Sequence, residues 1–466
     1  MDAVSSFLSV EQTIHMNRFI AYLRSKPVRL WLTVAAFAVS FGYGLFYQIT
    51  PSVDARKFHE TAVNIVTRHS FCSECNVPLA QDTAIRDIGP GYQFFLAGVY
   101  SLFGVHTWIV WLLQALMHAM VVWWLYGLIR RILGNVASNH LNTTLPLALY
   151  AFHPDIIQAT AMLMSEIVFV FILVGIVKLF VLIWEHNGRA SWGKLVWMGA
   201  LLGALMMVRP TGAPVLVVVL FVFVWKRWWK ALILVLISAV LIQAPWAIRN
   251  ARLYHSFVLN SVVGGLDIWA GLDPHGSGEF NLSALPNIRQ KIAGLDPDQI
   301  DRVSLEEVKK IVLTKPLFAI GRTVQKGLKL FALSKTSAFW FHYKGAWDRL
   351  FVLIGSVLFN LALLGMFCAS LWDALVHRRF HHWILALGTV LVILLAIPPT
   401  LTVVVNRYRI PMLPFMALAS AGWLAFVTEK DRRNSLIAAM LMLVLTTSVD
   451  VWGSLDKVKD RLLRFH

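Results

Sequence analysis

Charged side chains are scarce in this chain of 466 residues, in which Asp, Glu, Lys and Arg make up 14% and hydrophobic residues 58%. A soluble globular domain carries about 25% charged residues, most of them on its surface. The shortage excludes a soluble enzyme and predicts an all-α polytopic membrane protein. Cysteine is scarcer still, and three cysteines are too few for a disulfide scaffold.

Acidic residues are outnumbered, with 25 Asp and Glu against 42 Lys and Arg, for a net charge of +17. The basic residues form short clusters between apolar runs, which argues against nucleic acid as a partner and is typical of cytoplasmic loops. The chain also lacks the motifs GxxxxGK(S/T), HExxH and GxSxG. ATP-driven transport, zincin-type proteolysis and nucleophile-elbow hydrolysis therefore have no support, so an ion gradient or the substrate itself must supply the energy.

Eleven apolar stretches are predicted as transmembrane helices, judged against the roughly 20 residues that cross a bilayer. They lie near residues 28–50, 107–133, 144–163, 165–184, 194–209, 211–225, 230–248, 350–372, 383–404, 408–427 and 434–452. The pair 194–225 is short and could form two half-helices. Basic clusters resist translocation and predict two long outer segments, 51–106 and 249–349. Residues 1–452 are predicted to form one transmembrane domain, followed by a basic tail, 453–466, whose side stays open because the number of spans is odd.

The first outer segment contains two stretches predicted as helices that lie in the membrane interface. Residues 55–70 carry apolar side chains at helical spacing, and residues 92–103 are apolar but too few to cross. Asp54 stands just before the first stretch, where its carboxylate could accept a proton from an acceptor hydroxyl or amine. The alternative is that Asp54 caps a helix starting at Ala55, a role that Asp often fills.

A charged stretch and a Gly-Pro-Gly turn precede the second of these helices. Because Gly and Pro force a turn, the charged groups are set just before a helix that can dip into lipid. Four side chains are therefore candidates for contact with the acceptor: Asp82, Arg86, Asp87 and Tyr92. The alternative is an ordinary turn with solvated charges.

Cys72 and Cys75 form a CxxC pair on the predicted outer side. Zinc would need a second pair of ligands to complete its tetrahedron, and no second CxxC exists. A local disulfide in an oxidising compartment is the preferred interpretation, ahead of free thiols and of a metal site.

Ionisable residues at the outer ends of predicted spans are costly there and by default suggest function. They occur in Met-Ser-Glu at Glu166, Arg-Pro-Thr-Gly at Arg209, Pro-Trp-Ala-Ile-Arg-Asn at Arg249, and Arg-Tyr-Arg at 407–409. Arginines gathered at one level suit a lipid phosphate, which they bind through paired, charge-assisted hydrogen bonds. For any single arginine the commoner alternative is a snorkelling side chain that anchors a helix end.

In this order the motifs resemble those of the GT-C superfamily of membrane glycosyltransferases. The closest branch is the bacterial one related to protein O-mannosyltransferases and to the aminoarabinose transferase that acts on lipid A. The resemblance runs from about residue 28 to residue 427. It implies a GT-C-like fold and transfer of a hexose or pentose from a polyprenyl-phosphate donor to a lipid, glycan or protein acceptor. The reaction would take place on the periplasmic or exterior face of a bacterial inner (plasma) membrane.

The resemblance also implies roles for single residues. The catalytic acid of the first outer loop falls on Asp54. The donor phosphate and its cavity fall on residues at the outer ends of the spans: Arg407, Arg409, Arg209, Arg249, Glu166 and Tyr408. Many relatives have Pro-Pro-Leu-Tyr where this chain has Pro90-Gly91-Tyr92, and the first loop lacks the Asp-Glu pair of the eukaryotic O-mannosyltransferases. These departures speak against a protein acceptor.

The chemistry of the donor bond predicts an inverting mechanism. The sugar–phosphate bond breaks through an oxocarbenium-like state, and arginines stabilise the charge that develops on the departing phosphate. Asp54 would take the acceptor proton on the opposite face of the sugar, so no second carboxylate is needed as nucleophile. No cofactor is required; a divalent cation is possible, because Asp54, Asp82, Asp87 and Glu166 offer oxygen ligands, but we predict metal independence.

Membrane lipids are the other expected partners, and the sequence does not predict an oligomeric state. The alternative function is a transporter or flippase of an anionic lipid-linked substrate, in which the arginines bind the headgroup and 194–225 forms discontinuous helices. Against it, the chain shows no pair of related halves. A second alternative keeps the glycosyltransferase scaffold but joins oligosaccharide chains, as a ligase or polymerase does.

Overall fold

The computed structural model of the chain describes residues 27–73, 75–79, 82, 89–134, 140–255, 258–260, 264–279, 285–295, 297–334 and 345–452. Within these ranges the fold consists of α-helices and short 3-10 helices, without a β-strand. The first nine α-helices are α1 (Pro27–Tyr47), α2 (Asp54–Arg68), α3 (Gly91–Phe103), α4 (Thr107–Leu133), α5 (His140–Ala151), α6 (Pro154–Ala161), α7 (Glu166–Glu185), α8 (Trp192–Val208) and α9 (Ala213–Trp225).

The remaining α-helices are α10 (Trp229–Tyr254), α11 (Gly264–Leu272), α12 (Pro286–Ile292), α13 (Pro297–Thr314), α14 (Pro316–Leu330), α15 (Ala346–Val376), α16 (Trp383–Leu401), α17 (Leu413–Phe426) and α18 (Glu429–Trp452). A 3-10 helix, Asn406–Met412, leads directly into α17 and is called the arginine turn below.

Eight helices within the described residues are long and apolar enough to cross a membrane. They are Val28–Tyr47, Thr107–Leu133, Glu166–Glu185, Trp229–Tyr254, Trp347–Val376, Trp383–Leu401, Asn406–Phe426 and Glu429–Trp452. Two shorter apolar helices, Trp192–Val208 and Pro210–Trp225, correspond to the predicted short pair. The predicted fold class, an all-α polytopic membrane protein, is confirmed, whereas the number of eleven spans is not.

The predicted span 144–163 is two helices rather than one. The chain leaves the helical conformation after α5, and His153 is extended, with φ −64° and ψ 121°. Pro154 explains the break, because proline disfavours the helical conformation in the residue before it and has no N–H to donate. Proline suits the first position of a helix, so α6 starts at Pro154 itself.

The core of the bundle is α17, whose residues 413–423 are all buried. Its small residues Ala417, Ala419 and Gly422 let neighbouring helices approach closely, which is how membrane helices gain packing energy. At the crossing with α16, a Cβ on Gly388 would lie 2.8 Å from the backbone nitrogen of Ala419, and only glycine fits there. The arginine turn is continuous with this helix, so it is held at one end of a largely buried element of the fold.

Both stretches predicted as helices in residues 51–106 are helical in the structure, as α2 and α3, which pack against each other. Phe58 contacts Tyr92 edge to face at 5.3 Å, and Nδ1 of His59 lies 2.8 Å from the hydroxyl of Tyr100. Asp54, the first residue of α2, is thereby fixed relative to α3.

The described part of residues 249–349, predicted as the second outer segment, forms a small core of its own, separate from the bundle. Its buried residues come from α11, α12 and α13 and from the chain just before the arginine turn: Leu266, Trp269, Ala270, Leu285, Ile288, Ile300 and Val403. Tyr408 is partly buried against both this core and that of the bundle. The arginine turn therefore lies where this small core meets the helix bundle.

Candidate active site

Arg407 brings together residues that are far apart in the sequence. Its Nη2 donates a hydrogen bond of 2.5 Å to Oδ2 of Asp54, and its Nε lies 3.6 Å from Oε1 of Glu166. Its Nη1 is 3.8 Å from the sulfur of Met164. One guanidinium thus contacts the candidate base of the first outer segment and the start of α7.

Glu166 lies between two arginines. Its Oε1 accepts a hydrogen bond of 2.6 Å from Nη1 of Arg209, whose guanidinium also lies over the ring of Tyr408 at 5.2 Å. The carboxylate side chain is only 2% exposed, and an isolated buried carboxylate would be very costly. Two guanidinium groups offset that cost, and with Asp54 they make a cluster of two positive and two negative groups.

The cluster retains capacity to bind an anion. Nε of Arg407 is buried and has no hydrogen-bond partner among the described residues, so the cluster has a donor to spare. A guanidinium offers five N–H donors in a planar fork that matches two phosphate oxygens, so these arginines can hold a phosphate while keeping a carboxylate neighbour. The arrangement places a guanidinium in direct contact with a carboxylate that is one quarter exposed.

Asp54 is not the helix cap of the alternative interpretation. Helix α2 begins at Asp54 itself, its N-cap is Val53, and no side chain caps it by a hydrogen bond. The amide of Ala55 bonds to the carbonyl of Ser52, so the backbone satisfies the first turn. The carboxylate instead accepts from Arg407, and its negative charge is still favourable at the start of a helix.

The Gly-Pro-Gly turn places α3 against the end of α8. A Cβ on Gly91 would lie 2.7 Å from the backbone of Met207 and Val208, so glycine is required for this close approach. Val208 directly precedes Arg209. The turn therefore helps to fix the second arginine of the cluster.

Three predicted site residues lie elsewhere. Tyr92 is fully buried and donates to Oε1 of Gln114, which leaves no face for an acceptor. Arg409 is buried in the bundle, where its Nη1 donates to the carbonyl of Ala332 at 2.9 Å. Arg249 stacks over Trp246 at 4.4 Å and donates to Asn250. Helical periodicity in the sequence cannot show which of these residues belong to the arginine cluster, because tertiary contacts determine where all three side chains lie.

Asp82 stabilises the disulfide loop rather than facing an acceptor. The disulfide between Cys72 and Cys75 is confirmed, and the third cysteine, Cys368, is free and buried. Asp82 is buried, and its carboxylate accepts from the amide and hydroxyl of Ser73 at 2.7 and 2.9 Å. The other two candidates of this stretch, Arg86 and Asp87, lie outside the described residues.

A group of possible metal ligands lies away from the arginine cluster. Oxygen and nitrogen atoms of Asp373, His377 and Asp431 lie within 4.8 Å of one another. Arg379 donates to both carboxylates, at 3.1 and 2.7 Å. A guanidinium therefore already satisfies these groups electrostatically.

Comparisons with known proteins support the family. Residues 87–248 match a model of the dolichyl-phosphate-mannose-protein mannosyltransferase family. The predicted resemblance to the GT-C membrane glycosyltransferases is confirmed. The matched segment runs from α3 to α10 and includes Glu166 and Arg209.

Two solved structures are similar to the chain, and both are of ArnT from Cupriavidus metallidurans. The structure bound to undecaprenyl phosphate has 16% identity and a TM-score of 0.39, covering 86% of this chain and 78% of that one. The apo structure has 18% identity and a TM-score of 0.37, covering 85% of this chain and 77% of that one. A comparison with the curated proteins finds no match.

Two buried lysines that the sequence analysis missed hold the chain just before the arginine turn. Lys326 of α14 donates to the carbonyls of Leu401 and Thr402 at 3.1 and 2.6 Å. Lys329 donates to the carbonyl of Ser277 at 2.9 Å, and the next residue, Gly278, accepts from the amide of Val404. Lysine is favourable at the C-terminal end of a helix such as α16, where carbonyls lack partners. The position of Arg407 thus depends on α14.

Replacing Lys326 by methionine is expected to change how stability depends on pH. Burial, and to a smaller extent the charge of Arg322, lowers the pKa of Lys326 from 10.5 to about 8. Between these values the unfolded chain holds a proton that the folded chain has lost, so unfolding takes up a proton and wild-type stability rises with pH. Relative to Lys326→Met, the free energy of unfolding of the wild type should rise by up to about 1 kcal/mol per pH unit in this range.

Thermal midpoints of the wild type and Lys326→Met in detergent, from pH 7.5 to 10, measure this difference. Lys310→Met is the control, because Lys310 is exposed on α13. A constant offset between wild type and Lys326→Met at every pH would contradict the expected titration.

Proposed function

We propose that the protein transfers a sugar from a polyprenyl-phosphate donor to an acceptor at the outer face of the membrane. The observation that carries the proposal is the Arg407 guanidinium, which contacts both Asp54 and Glu166. The matched family supports the donor class, since its name specifies mannose carried by dolichyl phosphate. We propose the inner membrane of a bacterium as its location, with the cluster on the periplasmic or exterior side.

In this mechanism Arg407 and Arg209 hold the donor phosphate. As the sugar–phosphate bond breaks, the leaving phosphate gains negative charge, and preorganised guanidinium groups stabilise that charge as it develops. Glu166 contacts both arginines and holds them in place, and its single negative charge is shared between their two positive charges. No cofactor enters the mechanism as proposed.

Asp54 acts as the base in this proposal, removing the proton of the acceptor as it attacks the sugar from the opposite face. An inverting transfer needs the sugar between base and leaving group. Asp54 and Arg407 are in direct contact, so donor binding must open their hydrogen bond. The donor phosphate can open this hydrogen bond, because it competes with Asp54 for the same guanidinium. The carboxylate is then released for catalysis.

A lipid or glycan acceptor suits the site better than a protein. The first outer segment packs closely on α8 through Gly91, and Tyr92 is buried, so this turn offers no tyrosine side chain to a protein acceptor. A panel of hexose and pentose donors would measure which sugar the site transfers.

One observation favours the alternative, a transporter of an anionic lipid-linked substrate. Helices α8 and α9 are short, and the break between them carries Arg209 beside Glu166. Broken helices with an ionised residue at the break are typical of transport sites.

One experiment separates the two functions. The wild type in lipid nanodiscs receives a panel of polyprenyl-phosphate sugars with membrane-extract acceptors, and mass spectrometry measures free polyprenyl phosphate. Release of polyprenyl phosphate together with a glycosylated product supports the transferase. A donor that crosses the bilayer of proteoliposomes chemically unchanged, with no release from any donor, supports the transporter. The size of the product distinguishes a single-sugar transferase from a ligase or polymerase.

A further inference from the structure

Helix α14 has its polarity reversed with respect to a helix that faces water. Lys326 and Lys329 are 0% and 1% exposed, whereas Leu317, Ile320 and Val324 are 83%, 61% and 56% exposed. The three apolar residues follow at i, i+3 and i+7, so they share one face of the helix. The lysines point into the protein, and the leucine, isoleucine and valine point out of it.

Water does not stabilise such a helix. An amphipathic helix at a water interface buries its apolar stripe and exposes its charges. A contiguous exposed apolar face marks contact with lipid or with another protein. Because this chain is a membrane protein, lipid is the neighbour that its fold already requires.

The helix is too short to be another span. Its 15 residues extend about 22 Å at 1.5 Å per residue, against a hydrocarbon core of about 30 Å. Its C-terminal half is held at the end of α16, beside the arginine turn, through Lys326. Its exposed face therefore lies at the level of the leaflet next to the candidate active site.

The apolar face continues onto the end of α13, and positive charge surrounds the junction of the two helices. Leu313 is 70% exposed, and Lys309, Lys310 and Lys315 are exposed around it. The sequence from residue 308 to residue 347 contains no Asp or Glu. Lysines next to exposed apolar residues are the combination that binds a bilayer surface containing anionic lipids.

We propose that the end of α13 and the outer face of α14 form a wedge that inserts into the leaflet on the active-site side and binds anionic lipid headgroups. Leu313, Leu317, Ile320 and Val324 enter the acyl region, and the three exposed lysines contact lipid phosphates. Charge decides for lipid over a protein partner, because an apolar protein interface is depleted in lysine whereas an anionic membrane surface attracts it. The wedge is independent of the reaction that the site carries out.

A fluorescent probe on the wedge tests the insertion. The chain has three cysteines, two in the disulfide and one buried, so Leu317→Cys provides the accessible thiol for an environment-sensitive label. Lipids with a nitroxide on the acyl chain should quench this probe in nanodiscs, and aqueous iodide should not. The matched control is a label at Glu306→Cys, an exposed polar position on α13, which iodide should quench. Quenching of the Leu317 probe by iodide and not by the nitroxide lipid, or by neither, would overturn the proposal in favour of water or a protein partner.

The headgroup preference is tested with the same probe. Nitroxide lipids with an anionic headgroup should quench the Leu317 probe at least about threefold more than those with a zwitterionic headgroup, as expected for several lysines near the surface. Lys309→Gln, Lys310→Gln and Lys315→Gln combined should bring the ratio close to one. The same change at Lys194, Lys226 and Lys230, which are exposed elsewhere on the protein, should leave the ratio at its wild-type value. Equal ratios in the wild type and the wedge variant would overturn the headgroup assignment.

Discussion

Asp54→Asn is expected to stop turnover without weakening donor binding. Loss of a positioned general base lowers the rate by roughly 100-fold to 10,000-fold. The carboxylate also competes with the donor phosphate for Arg407, to which it is hydrogen bonded at 2.5 Å. Asparagine removes the negative charge and keeps the shape, so binding of polyprenyl phosphate should be unchanged or tighter.

Turnover is measured as release of polyprenyl phosphate, and binding with radiolabelled polyprenyl phosphate on the same purified protein. Glu60→Gln is the matched control, because Glu60 lies on the same helix and pairs only with solvent-exposed Arg56 in the ion pairs described. Equal losses of turnover and binding in Asp54→Asn would contradict a base and indicate a residue that shapes the donor site. Retained turnover would remove Asp54 from the chemistry altogether.

Sequence patterns were sufficient for the fold class, because uncharged apolar runs of about 20 residues are typical of membrane-spanning helices. The long helices α4, α7, α15, α16 and α18 lie close to where hydropathy predicts them, and so does the span that the arginine turn forms with α17. The pattern failed at residues 144–163, where a single Pro154 divides an apolar run into α5 and α6. Hydropathy averaged over about 20 residues does not reveal a helix break that a single proline causes.

The candidate site was predicted in part. Glu166, Arg209 and Arg407 could be selected because a charge at a helix end in a membrane is expensive wherever it points. Arg249 met the same criterion, yet it stacks on aromatic rings. The criterion identifies costly charges, and only the packing shows which partner offsets each cost.

The two buried lysines are the clearest example of a feature that could not be predicted from the sequence. Lys326 and Lys329 stand in an amphipathic stretch, and the normal expectation places such lysines in water. Their burial depends on carbonyl groups at the end of α16 and of Ser277, which are distant from the lysines in the sequence and accept hydrogen bonds from them. A lipid environment for the opposite face of α14 accounts for the reversal.

Arg407→Gln and Arg409→Gln are expected to fail in different ways, although the residues are two positions apart in the arginine turn. Arg407 faces Asp54 and Glu166, so its loss should weaken binding of polyprenyl phosphate about tenfold or more, as expected for a charged hydrogen bond. Glu166 keeps Arg209 as a partner, so the thermal midpoint should fall only modestly. Arg409 is buried in the bundle and is attracted by Asp155, so its loss removes the cation beside a buried carboxylate and should cost about 3–5 kcal/mol of stability.

The two variants are compared by thermal midpoint and by binding of radiolabelled polyprenyl phosphate to the folded fraction. Arg409→Lys, which keeps the charge, replaces Arg409→Gln if the latter does not fold. Arg407→Gln should lose binding with most of its stability retained, and the Arg409 variant should lose stability with binding intact. If both variants lost binding equally at matched stability, the turn would act as one unit and Arg407 would have no separate role at the phosphate. The separation follows from the 3-10 geometry of the turn, which points side chains two residues apart to different sides: one toward the cluster, the other into the core that fixes it.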